Sequence, residues 1–252
     1  MMVEVCLAGV ESAAAAQAGG AGRIELCENL VEGGTTPSYG TIALARQQVS
    51  IPLHVMIRPR DGDFCYSELE FEVMQRDVAT AASLGADGLV FGLLTPEGQV
   101  DVTRMRLLMA VTRPLSVTFH RAFDHAADPL AAFEDLLALG VDRLLTSGQE
   151  ATAWAGRALI KALQARAAGR IQIMAGSGIH AGNAAQLIAA TGVPEIHVGS
   201  ACTEVVTGQM AARKTAVAIG SGPPEADYII RRVSAARVRE IVEVVSVMRR
   251  MK

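Results

Sequence analysis

Short runs rich in Val, Ile and Leu alternate along the chain with longer, alanine-rich segments of helical period. Strand candidates start near Val3, Arg23, Leu53, Gly88, Leu115, Arg143, Ile171 and Glu195, and a helical pattern follows each. Such alternation predicts parallel β/α units. Eight units suit closure into a single (β/α)₈ barrel spanning 1–252, whereas fewer would suit an open doubly wound sheet. Helix starts carry their own signals. Ser67-Glu68-Leu69-Glu70 reads as a capping box, and Asp128-Pro129 places an acceptor at the cap and proline at the first helical position. Ser234 precedes a final helix whose Val238, Ile241, Val242, Val245 and Met248 form one apolar stripe. No linker divides the chain. A long loop is expected at 202–233, containing Gly220-Ser221-Gly222-Pro223-Pro224. It follows strand eight, so it serves as a lid, an oligomer contact or a plain surface loop.

Residue alternation inside each strand is more informative. In a barrel, alternate side chains face the lumen and the outer helices. Val3, Val5 and Leu7 form one set in strand one, against Glu4 and Cys6; strand two sets Ile24 and Leu26 against Arg23, Glu25 and Cys27. The same split opposes Val55 and Ile57 to His54, Met56 and Arg58, and Val117 and Phe119 to Ser116, Thr118 and His120. In strand eight Ile196 and Val198 oppose Glu195 and His197. The apolar sets belong under the helices, so the polar sets must fill the lumen. Buried charge needs partners. Glu4, Glu25 and Glu195 are therefore expected to meet Arg58, His120 and His197. The arrangement is either a closed ion-pair network or a polar pocket opening at the C-terminal strand ends, where barrel enzymes keep their sites.

Charge and composition narrow the function classes. A net charge of -3 and a pI near 6.0, with no basic patch, argue against a nucleic-acid partner. Mean hydropathy is high at +0.29, yet no apolar run reaches the roughly 18 residues of a membrane helix. No signal peptide is expected from the strand-like start at Val3. The four cysteines are far apart and form no CxxC pair, which suits reduced thiols in the cytoplasm.

Three chemistries fit the polar set. The first is soft-metal binding. Glu4-Val5-Cys6 and Glu25-Leu26-Cys27 repeat one pattern on adjacent strands about 4.8 Å apart. Two inward thiolates could hold Cu(I), although buried free cysteine is more often a small hydrophobe. No organic cofactor is evident. The second is anion binding. Gly176, Ser177 and Gly178 end strand seven, Gly199 and Ser200 end strand eight, and Arg60 adds a planar fork. Those glycines could equally serve only tight turns. The third is acid–base catalysis by Glu25, Arg58, His120, Asp124 and His197 at one mouth. Its substrate would be a small phosphorylated or acidic metabolite.

Several runs together resemble the CutC family. They are Arg23-Ile24-Glu25-Leu26-Cys27, the stretch from Glu32 through Gly33, Gly34, Thr35, Thr36 and Pro37 to Ser38, and Met56-Ile57-Arg58-Pro59-Arg60. Thr118-Phe119-His120-Arg121-Ala122-Phe123-Asp124 is the most distinctive, followed by Leu145-Thr146-Ser147-Gly148. The resemblance spans residue 3 to about 200 and thins beyond Ala201. It implies a TIM-barrel fold, a cytoplasmic homo-oligomer and a role in copper homeostasis. It further implies that Cys6 and Cys27 are the Cu(I) ligands. Ser177 stands where relatives often carry glycine.

Overall fold

A computed structural model describes residues 1–209 and 227–250. Eight parallel strands close into a barrel in sequence order: β1 (Met2–Ala8), β2 (Arg23–Cys27), β3 (Leu53–Met56), β4 (Gly88–Phe91), β5 (Ser116–Phe119), β6 (Arg143–Thr146), β7 (Gln172–Gly176) and β8 (Glu195–Val198). β1 pairs with both β2 and β8, which closes the ring. The intervening helices are α1 (Val10–Ala18), α2 (Tyr39–Gln48), α3 (Glu68–Ser83), α4 (Val102–Thr112), α5 (Pro129–Leu139), α6 (Arg157–Ala167) and α7 (Ala181–Thr191). The capping box of α3 forms, with Ser67 and Glu70 satisfying each other's backbone N–H groups, and Asp128 accepts from Leu130 and Ala131 at the start of α5.

The stretch expected as one long loop contains two strands. β9 (Thr203–Thr207) and β10 (Ile229–Val233) pair antiparallel into a ribbon beside the barrel. The alternation there is weak because most of its residues are exposed on both faces, so the sequence carries little strand signal. The Gly220–Pro224 motif lies outside the described residues. After the ribbon, α8 (Ala235–Arg250) buries Val238, Ile241 and Val245; the side chain of Met248 lies outside the described part.

The two faces of each strand divide as the alternation predicts. Val3, Val5, Leu7, Ile24, Leu26, Val55 and Ile196 join one apolar core with the helices. That burial drives closure at roughly 25 cal/mol per Å². The lumen receives the polar set, and two glycines make room for its rings. A Cβ on Gly88 would stand 2.5 Å from His54 Nε2, and one on Gly92 would stand 2.7 Å from His120 Nδ1. Gly88→Ala should therefore cost about 1–3 kcal/mol in urea unfolding, the usual range for overpacking. Adding His54→Ala should recover most of that loss. Equal costs in both backgrounds would show that the ring is not the obstacle.

Candidate functional site

The lumen holds two polar layers. In the lower one, Arg23 Nε donates to Glu4 at 2.5 Å, and its terminal nitrogen donates to Glu195 at 2.6 Å. Arg143 Nε donates to the same Glu195 carboxylate at 2.5 Å. The partners expected for these glutamates were Arg58, His120 and His197, and only His197 holds. Arg58 and His120 follow their strands and so sit higher, whereas Arg23 stands directly across from Glu4 in the β1–β2 register. Arg143, at the start of β6, was missed as an ion partner. Its place in the alternation of that strand was the available signal.

Glu4 couples this layer to the upper one. Its second oxygen pairs with His197 Nδ1 at 2.8 Å, and His197 Nε2 lies 3.8 Å from Glu25. Burial alone would push the Glu4 carboxyl up, but Arg23 and the His197 hydrogen bond overcome it and hold the group well below the usual carboxylate range. Burial opposes charge on His197 too. The Glu25 carboxylate, with hydrogen bonds to Cys6 and Glu4, raises it well above the ordinary imidazole range. Burial raises Glu25.

Beside Glu25 lie the thiols. Cys6 Sγ is 3.8 Å from Cys27 Sγ, and Cys27 Sγ is 3.6 Å from Glu25. Atoms of Cys6, Glu25 and Cys27 all fall within 4.8 Å of one another. Met56 and Val90 pack against the pair, and Gly34 approaches so closely that a Cβ there would stand 3.3 Å from Cys27 Sγ. Hydrogen bonding to Cys27 and burial push the Cys6 thiol well up. For Cys27, the Cys6 hydrogen bond favours the thiolate, yet burial and Glu25 outweigh it and push the thiol up to about 12. Both are protonated at neutral pH. Cys6 faces Glu25 across the ladder while Cys27 faces Ala8, so the two are offset by two residues. That offset sets their Cα atoms about 8 Å apart, beyond the roughly 7 Å a disulfide spans. The side chains converge as a clamp.

Above lies a cavity of about 1290 Å³ at the C-terminal strand ends. Cys6, Glu25, Met56, Arg58, His120 and His197 line it, with Ser177, Gly178, Gly199 and Ser200 on the loops. Cys27 is fully buried behind Cys6. The ribbon adds Thr203, Val205 and Arg231, which sequence reasoning did not foresee. Other expected site residues are engaged elsewhere. Asp124 accepts from Arg121, the Thr146 hydroxyl, both donors of Ser147 and the Gln149 N–H, so it organises the loop after β6. Arg60 is bound to Glu70 at 2.6 Å and to Asp63 at 3.1 Å, and lines a separate cavity between the loops and α2 and α3. Gly176 makes room for Leu145, whose Cδ1 would meet an added Cβ at 2.6 Å. Ser177 keeps a positive φ of 83° and donates to the Ala151 carbonyl at 2.8 Å; glycine adopts such a φ without strain.

The CutC family model matches residues 1–202, the stretch that builds the barrel and both thiols. This chain belongs to the CutC family. The copper homeostasis protein cutC homologs of Mus musculus and Homo sapiens are each 47% identical over 240 residues, covering 95% of this chain and 88% and 87% of theirs. A CutC family protein of Chromobacterium violaceum is 48% identical over 96% of this chain and 97% of its own. The crystal structure of CutC from Streptococcus agalactiae superposes with a TM-score of 0.76 at 37% identity, covering 79% of this chain and 98% of that one. No helix among the described residues is long and apolar enough to cross a membrane.

Two lumen histidines set the acid response. Burial lowers His54 to about 4 and His120 to about 3. Both rings are neutral in the fold, whereas the unfolded chain protonates them below about 6.5. Stability is therefore lost as pH falls from 6.5 towards 4. His197 stays charged in the fold, so it and the raised Glu25 each offset part of the loss. Urea unfolding should lose about 1.4–2.7 kcal/mol per pH unit between 6 and 5, equivalent to one to two protons. A flat profile over that interval would mean the rings titrate normally inside the lumen.

Proposed function

We propose that this CutC family member takes part in copper homeostasis by binding Cu(I) between Cys6 and Cys27. The observation that carries this reading is the 3.8 Å separation of two thiols that share no disulfide geometry. Metal–thiolate bonds near 2.3 Å place two sulfurs of a trigonal site about 4.0 Å apart, so the pair needs little movement. Sulfur donors are those Cu(I) prefers, and the thioether of Met56 packs against them. The copper-homeostasis names of the mouse and human relatives support the same reading. A reducing cytoplasm keeps such thiols free, and we place the protein there as a homo-oligomer. The rival reading, an enzyme acting on a phosphorylated or acidic metabolite, is less well supported because Asp124 and Arg60 are engaged away from the mouth.

Metal entry must displace thiol protons, since burial holds both sulfurs protonated. Affinity should therefore rise with pH, by up to about tenfold per unit for each proton released. Anaerobic competition against a chromophoric Cu(I) chelator should show one tightly held ion per chain. The Cys6→Ser, Cys27→Ser variant should lose at least about a hundredfold, or about 2.7 kcal/mol. Undiminished or uniformly weak binding in that variant would remove these thiols from the account.

A further inference from the structure

Arg58 and His120 stand in the cavity wall and call for a different chemistry from the thiols. Arg58 is 5% exposed, and its guanidinium donates only to the carbonyls of Glu32, Gly34 and Gly62. Among the described residues it has no carboxylate partner, whereas the buried Arg23 pairs with Glu4 and Glu195 and the buried Arg143 with Glu195. A buried cation without a counter-charge is costly. His120 is 4% exposed, and its Nδ1 accepts from the Ala122 N–H at 3.2 Å. The proton of the neutral ring therefore sits on Nε2, which has no partner among the described residues. Orphaned buried donors are rare and call for a water or a ligand. The Phe64 ring contacts both groups: its centroid lies 5.0 Å from that of the His120 ring, tilted by 56°, and 5.3 Å from the Arg58 guanidinium carbon. The cavity they line, about 1290 Å³, is larger than the roughly 300–1,000 Å³ of a typical small-molecule pocket and far exceeds the room a single ion takes.

We propose that Arg58, His120 and Phe64 form a subsite for the oxyanion of a small organic acid or phosphate ester. One anionic oxygen accepts from His120 Nε2–H and lies in the field of Arg58. Arg58 acts as charge, because its terminal nitrogens are committed to the backbone. Arg121 lines the same mouth and is half-exposed, but Asp124 already answers its charge at 2.8 Å, so Arg58 is the cation the subsite relies on. Glu28, Glu32 and Asp63 at the rim carry the opposite sign, so the subsite suits a compact anion held deep against the wall.

The test follows the His120 Nε2–H resonance in ¹⁵N–¹H spectra of the metal-free, full-length protein. Inorganic phosphate and succinate, titrated separately, stand for the two sources. At least one should shift the resonance saturably with a Kd of about 1 mM, and the tighter probe assigns the ligand class. His120→Phe should weaken that probe about tenfold or more, measured by calorimetry on protein whose thermal unfolding is intact. If this variant does not fold, the wild-type resonance decides alone. The Cys6→Ser, Cys27→Ser variant should bind the anion as the wild type does, which separates this subsite from the copper clamp. Absence of a saturable shift with either probe up to about 20 mM overturns the inference. So does undiminished binding in folded His120→Phe, and both hold even where Cu(I) binding is intact.

Discussion

The lumen of this barrel depends on one carboxylate held by two cations. Glu4 is fully buried, and it is tolerated there because Arg23 takes one oxygen and His197 the other. An ordinary barrel fills this space with branched aliphatic side chains. Here Arg23 also bridges to Glu195, which Arg143 grips from the far side. Four strands, β1, β2, β6 and β8, are thereby tied through their inner faces. Coulombic attraction at low local dielectric and the hydrogen bonds together offset the desolvation that makes each charge costly alone.

That lower layer orders the upper one. With Nδ1 fixed on Glu4, the His197 ring presents Nε2 towards Glu25, and Glu25 stands beside Cys27. The thiols sit where the polar lumen meets the small apolar cluster of Met56 and Val90. A soft, desolvated donor pair next to ionisable groups is a setting in which a thiophilic cation can trade places with protons. Farther out, Arg58 stitches the loops after β2 and β3 through three carbonyls, so the rim over the thiols is shaped by a buried cation.

Much of this was legible in the sequence, because barrel strands convert parity into direction. All eight strand starts fall within one residue of expectation, and Val3, Ile24 and Ile196 face the helices while Glu4, Glu25 and His197 face inwards. Cys6 and Cys27 could be placed close together from two repeated tripeptides on neighbouring strands. Parity does not report height, however. Register and barrel shear decide which inward residues share a layer, so Arg23 rather than Arg58 meets Glu4. Side chains on loops escape parity altogether. Asp124 turns towards the β6 loop and Arg60 towards Glu70, each drawn by donors or acceptors that no spacing rule reveals. The ribbon of β9 and β10 was hidden because it has no buried face to impose alternation.

Arg23 neutralises the lumen carboxylates and so sets the positions of the groups above them. Replacing it by methionine of similar length removes the charge and keeps the bulk. Equilibrium urea unfolding of Arg23→Met against wild type at pH 7 measures the consequence directly. Glu4 and Glu195 would then be buried without their shared cation, and a loss of about 3–5 kcal/mol is expected. An unchanged or higher stability would mean that the lumen holds its carboxylates without this pairing, and that Arg23 does not support the site.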